Sequence, residues 1–81
     1  MLAAIDIGNT NIVIGIFDGD RLVSSFRIAS RAETTADEYA ATLDGLLRMA
    51  NLAPKQVHHV CLASVVPRLQ AVFVELSKRF F

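Results

Sequence analysis

The first thirty residues hold three β-type runs, Leu2–Ile5, Ile12–Phe17 and Arg21–Ser30, separated only by short turns. A parallel crossover needs a dozen residues or more, so these runs must fold back on one another as an antiparallel meander. The first run is continuously apolar, as expected of a central strand buried on both faces. The second is rich in β-branched residues and runs into Asp18-Gly19, a dipeptide that supplies positive φ for a tight hairpin. In the third, Leu22, Ser24, Phe26 and Ile28 fall on one face and Val23, Ser25 and Arg27 on the other. This strand is the most polar of the three and is expected at an edge.

The period changes after Ser30. Thr35-Ala36-Asp37-Glu38 has the spacing of a capping box, in which the threonine hydroxyl takes one free amide and the glutamate reaches back to another. A helix is predicted from there, with Tyr39, Leu43, Leu46, Leu47 and Ala50 on one stripe and a stop at Asn51 and Pro54. Val57–Ala63 is a fourth β-type run. Pro67 then suits the first turn of a second helix whose stripe is Leu69, Val72, Phe73, Leu76 and Phe80. The predicted order is β-β-β-α-β-α, an α/β fold with a mixed sheet and no repeat or linker. A strand that follows a helix can lie parallel beside the first strand through a right-handed crossover. That arrangement places Asp6 and Ser64 side by side at the ends of strands one and four.

The 81 residues form one domain at most, and a domain this small buries only about 60% of the surface its unfolded chain exposes. Yet 53% of the residues are apolar and the mean hydropathy is +0.44, a high apolar content for so small a body to hide. The expectation is an oligomer or part of something larger, with helix stripes wider than a four-stranded sheet covers. Eight Lys and Arg balance eight Asp and Glu, so no net field draws in nucleic acid or an anionic membrane. The single Cys61 cannot make an internal disulfide, and no basic stretch precedes an apolar leader, which favours a reducing, cytoplasmic setting. Asp6, Asp18 and Asp20 interrupt the apolar runs too early for a membrane span.

Chemistry concentrates in Asp6-Ile7-Gly8-Asn9-Thr10-Asn11-Ile12-Val13. Asp6 is placed at the C-terminal mouth of the central strand, where ligands bind in sheets of this type. Gly8 is expected to turn with unusual φ and to leave amides open to phosphate oxygens, while Asn9, Thr10 and Asn11 add amide and hydroxyl donors. No lysine stands in the turn, so it is not a Walker-type phosphate loop. A carboxylate repels phosphate, and the consistent arrangement has Asp6 on a hydrated Mg²⁺ while the turn amides hold phosphate. The plainer alternative is that Asp6 and the asparagines make turn bonds to the backbone. Gly15, inside the second strand, marks either a bulge or a close approach.

DIGNTN after the first strand, the DGD hairpin, TADEYA opening the first helix and SVVP after the fourth strand together resemble the amino-terminal portion of type III pantothenate kinases. That family belongs to the actin-like ATPase superfamily, and the resemblance covers essentially all of residues 1–81. It implies a ribonuclease H-like, actin-like half-domain, an incomplete subdomain that lacks its last strand. It implies ATP-dependent phosphorylation of pantothenate to 4'-phosphopantothenate in coenzyme A synthesis, with Mg²⁺ and a monovalent cation (K⁺ or NH₄⁺), in a homodimer. Asp6 to Val13 would match the family's first phosphate motif, with Asp6 on the Mg²⁺ side. The family's G-x-D-R segment, which carries the expected general base, and its D-x-G-T motif have no counterpart before Phe81.

Other polar residues carry plainer expectations. Asp37 and Glu38 belong to the capping box. His58 and His59 are adjacent, so they point to opposite faces where a strand begins and cannot chelate one ion. Cys61 is a small hydrophobe without a base nearby. Ser64 ends its strand or caps the second helix, with ligand contact as a lesser role, and Arg31 and Arg68 lie in connections near the mouth. Two other functions fit the same order of elements. One is a non-catalytic nucleotide-binding or dimerisation module. The other is a ribonuclease H-like nuclease, which requires clustered carboxylates for two metals, whereas the fourth strand ends in Ser64.

Overall fold

The computed structural model describes residues 1–81. Its elements are β1 (Leu2–Ile7), β2 (Asn11–Asp18), β3 (Arg21–Ala29), α1 (Ala36–Met49), a 3₁₀ turn at Pro54–Gln56, β4 (His59–Ser64) and α2 (Pro67–Phe80). The sheet order is β3-β2-β1-β4, with β1 antiparallel to β2, β2 antiparallel to β3, and β4 parallel to β1. The meander, the central first strand and the polar edge strand are therefore as expected. Val57 falls outside the fourth strand, because the Pro54 carbonyl takes its amide and ends the 3₁₀ turn there.

Local chemistry sets the boundaries. Gly19 opens the two-residue turn between Asp18 and Arg21 at φ +63°, which a residue with a β-carbon adopts only with strain. Thr35 caps α1 through the Glu38 amide while the Glu38 carboxylate takes the Thr35 amide, completing the box. At the other end Asn51 adopts φ 59°, and the Asn51 and Leu52 amides bond the Arg48 and Leu47 carbonyls at 3.0 and 2.8 Å. This is a Schellman closure, which uses asparagine as one of the few residues tolerant of left-handed backbone.

Both helices lie on one side of the sheet. Ala3, Ile5 and Ile7 of β1 and Ile12, Ile14 and Ile16 of β2 meet Tyr39, Leu43 and Leu47 of α1 and Leu69, Phe73 and Leu76 of α2 in a fully apolar core. Phe73 is completely buried and packs on the Tyr39 ring with centroids 4.9 Å apart. Burying each such side chain contributes about 1.5–3 kcal/mol, so the helix–sheet contact is the main source of stability. Arg79 of α2 reaches Asp37 of α1 across the helix pair, and that carboxylate raises the guanidinium pKa further above its ordinary value. No helix is long and apolar enough to cross a membrane.

Two expectations are corrected here and one is met in part. The helix stripes are only partly covered: Tyr39, Leu43, Leu47, Leu69, Phe73 and Leu76 are buried, while Leu46, Ala50, Val72 and Phe80 are half-buried. Further uncovered apolar surface lies on the sheet's opposite face, so β1 is buried on one side only, with Ala4 half-buried and Asp6 exposed. The second correction concerns β3. Phe17 pairs with Leu22 but Ile16 pairs with Ser24, so Val23 is an extra residue in a bulge that carries Leu22 over to the open face.

Candidate functional site

Register places the open face in rows. Arg27, Val13, Asp6 and Ala63 form one row across the four strands, and Ser25, Gly15, Ala4 and Cys61 form the next. Phe17 and Leu22 close one end. All of these residues except Arg27 line a shallow, mainly apolar depression of about 610 Å³ with Asp6 on its rim. Gly15 has a clear role in this floor: a β-carbon there would lie 3.1 Å from the Phe17 ring and 3.3 Å from Leu22. Its missing side chain is the space those two groups occupy, and the bulge sits one residue further along.

The mouth lies where β1, β3 and β4 all end. Because β2 is antiparallel to both β1 and β3, these three strands run in one direction, and each helix begins at that same end. Helix N-termini carry partial positive charge and free amides, so this end of the molecule suits an anion. The α1 terminus is already satisfied by its capping box. The α2 terminus has no side-chain cap, and Pro67 stands in its first turn.

The β1–β2 turn projects from this end. Gly8 N–H donates to the Asn11 carbonyl at 2.9 Å, Ser30 N–H donates to the Thr10 carbonyl at 2.9 Å, and the Ser30 hydroxyl donates to the Gly8 carbonyl at 2.6 Å. The Asn9 and Thr10 amides have no acceptor in the chain, and neither do the side chains of Asp6, Asn9, Thr10 or Asn11 have a partner. The turn bonds that would have explained these polar groups locally are therefore not made. Gly8 does not adopt positive φ, contrary to expectation. Its constraint is steric, because a β-carbon would lie 3.0 Å from the Asn11 carbonyl oxygen.

The remaining candidates sort by position. Ile7 and Ile12 are wholly buried, so only their backbones face the turn, and Val13 is half-buried in the row beside Asp6. Ser64 is not beside Asp6: it pairs with Ile7 and faces the helices, while Ala63 is the neighbour of Asp6. Its hydroxyl accepts from Val66 N–H at 2.9 Å, closing the step into α2. Arg68 donates through Nε to the Ala32 carbonyl, tying α2 to the loop after β3, and the Arg31 side chain is exposed. His58 and His59 are exposed where β4 begins. No group of three metal-ligating side chains occurs, and the neighbours of Asp6 in its row are Val13 and Ala63, so the carboxylate cluster of a two-metal nuclease is not built here. Sequence reasoning gave no role at the site to Arg27 or Ser30, and read Tyr39 only as a core residue of the α1 stripe. Arg27 shares a row with Asp6 across roughly two strand spacings, about 10 Å.

The β-β-β-α-β-α order, with β4 parallel to a central β1, is that of a partial actin-like, ribonuclease H-like half-domain. A family model described as type III pantothenate kinase matches residues 2–81, and the chain belongs to that family. It is similar to type III pantothenate kinases of Dehalococcoides mccartyi (45% identical over 80 residues, 99% of this chain and 31% of the relative) and Geobacter sulfurreducens (46% over 81 residues, 100% and 32%). That of Bifidobacterium longum is 47% identical over 73 residues, 90% of this chain and 28% of the relative. The chain thus spans about a third of the length of these curated relatives.

Proposed function

We propose that this chain supplies the first phosphate-binding element of an enzyme that transfers the γ-phosphoryl group of ATP to pantothenate, giving 4'-phosphopantothenate for coenzyme A synthesis. The observation that carries the reading is the β1–β2 turn, whose Asn9 and Thr10 amides and four polar side chains are unspent at the end of the sheet where both helices begin. Family membership supports the same assignment. In this reading the Asn9 and Thr10 amides hold ATP phosphate oxygens, with Asn9, Thr10 and Asn11 side chains as further donors. Ile7, Ile12 and Val13 anchor the turn in the sheet.

Asp6 fits a hydrated Mg²⁺. It is an exposed carboxylate with no partner, and Mg²⁺ commonly takes one or two carboxylates together with waters and substrate phosphates. The ion would neutralise phosphate charge as the transfer proceeds. The same reading includes a monovalent cation (K⁺ or NH₄⁺), a general base outside these 81 residues, and a cytoplasmic homodimer without nucleic-acid or membrane partners. No side chain of this chain is assigned to the monovalent cation or to the base.

The test is ADP release by the intact protein, coupled to a spectroscopic readout, with and without pantothenate. The expected result is pantothenate-dependent release that Asp6→Asn lowers by about a hundredfold or more, the scale of a lost electrostatic contact to the reacting group. A loss under tenfold removes Asp6 from the metal site, and release indifferent to pantothenate removes the substrate assignment.

A further inference from the structure

The turn has the geometry of an anion cradle only if its peptide planes face the right way, and one residue outside the turn fixes them. A trans peptide is planar, so the C=O of residue 8 and the N–H of residue 9 point in opposite directions from one rigid unit. The Ser30 hydroxyl binds the Gly8 carbonyl at 2.6 Å, which directs that oxygen toward β3 and the Asn9 N–H away from it. The Ser30 amide binds the Thr10 carbonyl at 2.9 Å, so a single serine holds two of the turn's carbonyl oxygens inward. Without this hold, rotation of the Gly8–Asn9 peptide would present a carbonyl oxygen where a phosphate needs a donor. The change is from attraction to repulsion, and for that reason a distant hydroxyl matters.

Ser30 lies just beyond the last residue of β3, and its own position is secured from α1. The Tyr39 hydroxyl accepts from Arg31 N–H at 3.1 Å and donates to the Arg31 carbonyl at 3.3 Å, with the Ala29 carbonyl at 3.5 Å as the alternative acceptor. Both neighbours of Ser30 therefore meet one phenol. That phenol is itself immobile, since Tyr39 is 3% exposed and its ring packs on the buried Phe73. The support runs without a break from α2 through α1 to the end of β3 and into the turn.

We propose that Ser30, itself held by Tyr39, is a positioning residue that fixes the Gly8–Asn9 peptide so that the Asn9 amide faces ATP phosphate. This rests on the phosphate-binding reading above, and its test separates the two. In the intact protein, NMR of the Asn9 and Thr10 amides is recorded without nucleotide and with a non-hydrolysable ATP analogue and Mg²⁺, for wild type, Ser30→Ala, Ser30→Thr and Tyr39→Phe. Without nucleotide, Ser30→Ala is expected to scale down the residual dipolar coupling of the Asn9 N–H, and Ser30→Thr, which keeps the hydroxyl, to restore it. With substrates, Ser30→Ala should raise KM for ATP about tenfold, the value of one hydrogen bond, while KM for pantothenate stays unchanged. Tyr39→Phe should shift the same quantities in the same direction by less, because the Ser30 hydroxyl remains. An Asn9 coupling unmoved by Ser30→Ala overturns the positioning role whatever the protein binds. A shared rise in both KM values with a lowered melting temperature also overturns it, since that is the signature of a structural residue. Wild-type amides that ignore the ATP analogue overturn the phosphate reading itself, before any variant is compared.

Discussion

Two glycines, Gly8 in the β1–β2 turn and Gly15 in β2, illustrate how the same residue answers to different constraints. At Gly8 the obstacle to a β-carbon is a backbone carbonyl 3.0 Å away, which can give only if the turn itself opens. At Gly15 the obstacles are the Phe17 and Leu22 side chains, both on an open face and free to move outward. Gly8→Ala is therefore expected to destabilise the fold by about 1–3 kcal/mol, as overpacking against fixed atoms does. Gly15→Ala should stay within about 0.5 kcal/mol of wild type, as for surface substitutions. Chemical denaturation of the two variants side by side checks the pair; equal losses would mean that Phe17 and Leu22 are as fixed as the turn. A titration with the ATP analogue should also show Gly8→Ala binding more weakly, because the displaced turn carries the Asn9 and Thr10 amides with it. Both glycines stand out in the sequence, and so does the polar turn. What sequence could not supply was the cause, because the atom that crowds Gly8 is identified by a turn hydrogen bond and the ones that crowd Gly15 by a register shift. The same limit hid Ser30, an ordinary strand-ending serine until the end of β3 is brought against the β1–β2 turn.

Elements whose boundaries are set within a few residues were legible, and those set by pairing partners were not. The capping box at Thr35 and the Asn51 stop are local devices, and each stands where its sequence placed it; the hairpin is equally local, but its turn is Gly19-Asp20, one residue further on, with Asp18 still paired in β2. The bulge at Val23 and the side of the sheet that the helices cover depend on strands distant in sequence, so alternation alone put Leu22 on the wrong face. Local control makes the helices predictable under mutation. Gly45 lies inside α1, is exposed, and has open space where a β-carbon would go, so Gly45→Ala should stabilise the protein by about 0.5–1 kcal/mol. Thr35→Ala removes the cap and should cost about 1 kcal/mol. The same box has a pH signature. Hydrogen bonds from the Thr35 amide and hydroxyl hold the Glu38 carboxyl below its ordinary pKa of 4.5, so its contribution is full above that value and is lost as pH falls through the depressed folded-state value. The stability gap between wild type and Glu38→Gln should therefore be full above about pH 4.5 and close as the pH falls below it. A difference that persists unchanged at lower pH would remove the carboxylate from the explanation.

For the molecule as a whole, the feature that decides behaviour is the asymmetry of the sheet. One face is closed by two helices over a wholly apolar core, and the other presents Ala4, Val13, Gly15, Phe17, Leu22, Cys61 and Ala63 around an open depression. The two edges are also unequal. β3 carries Arg21, Arg27 and a bulge, devices that discourage further pairing, whereas β4 reads His-Val-Cys-Leu-Ala-Ser with no fixed charge, bulge or proline. An apolar face continuous with an unguarded edge favours association, so the 81 residues by themselves are expected to self-associate at micromolar concentration. They are also expected to release no pantothenate-dependent ADP, since the proposed function assigns the general base to none of these residues. The surface responsible can be located. Cys61→Lys puts a charge on the open face of β4 and Leu22→Lys does so at the far side of that face, where Leu22 is 53% exposed. Together they should return a monomer in sedimentation, whereas Met49→Lys, 82% exposed at the end of α1 on the other side of the sheet, should leave association as it was. The monomer should scatter with a radius of gyration near 11.5 Å. Wild-type chain that already sediments as a monodisperse monomer of that size would show that the open face and edge are tolerated in water, and association would then have to be dropped from the account.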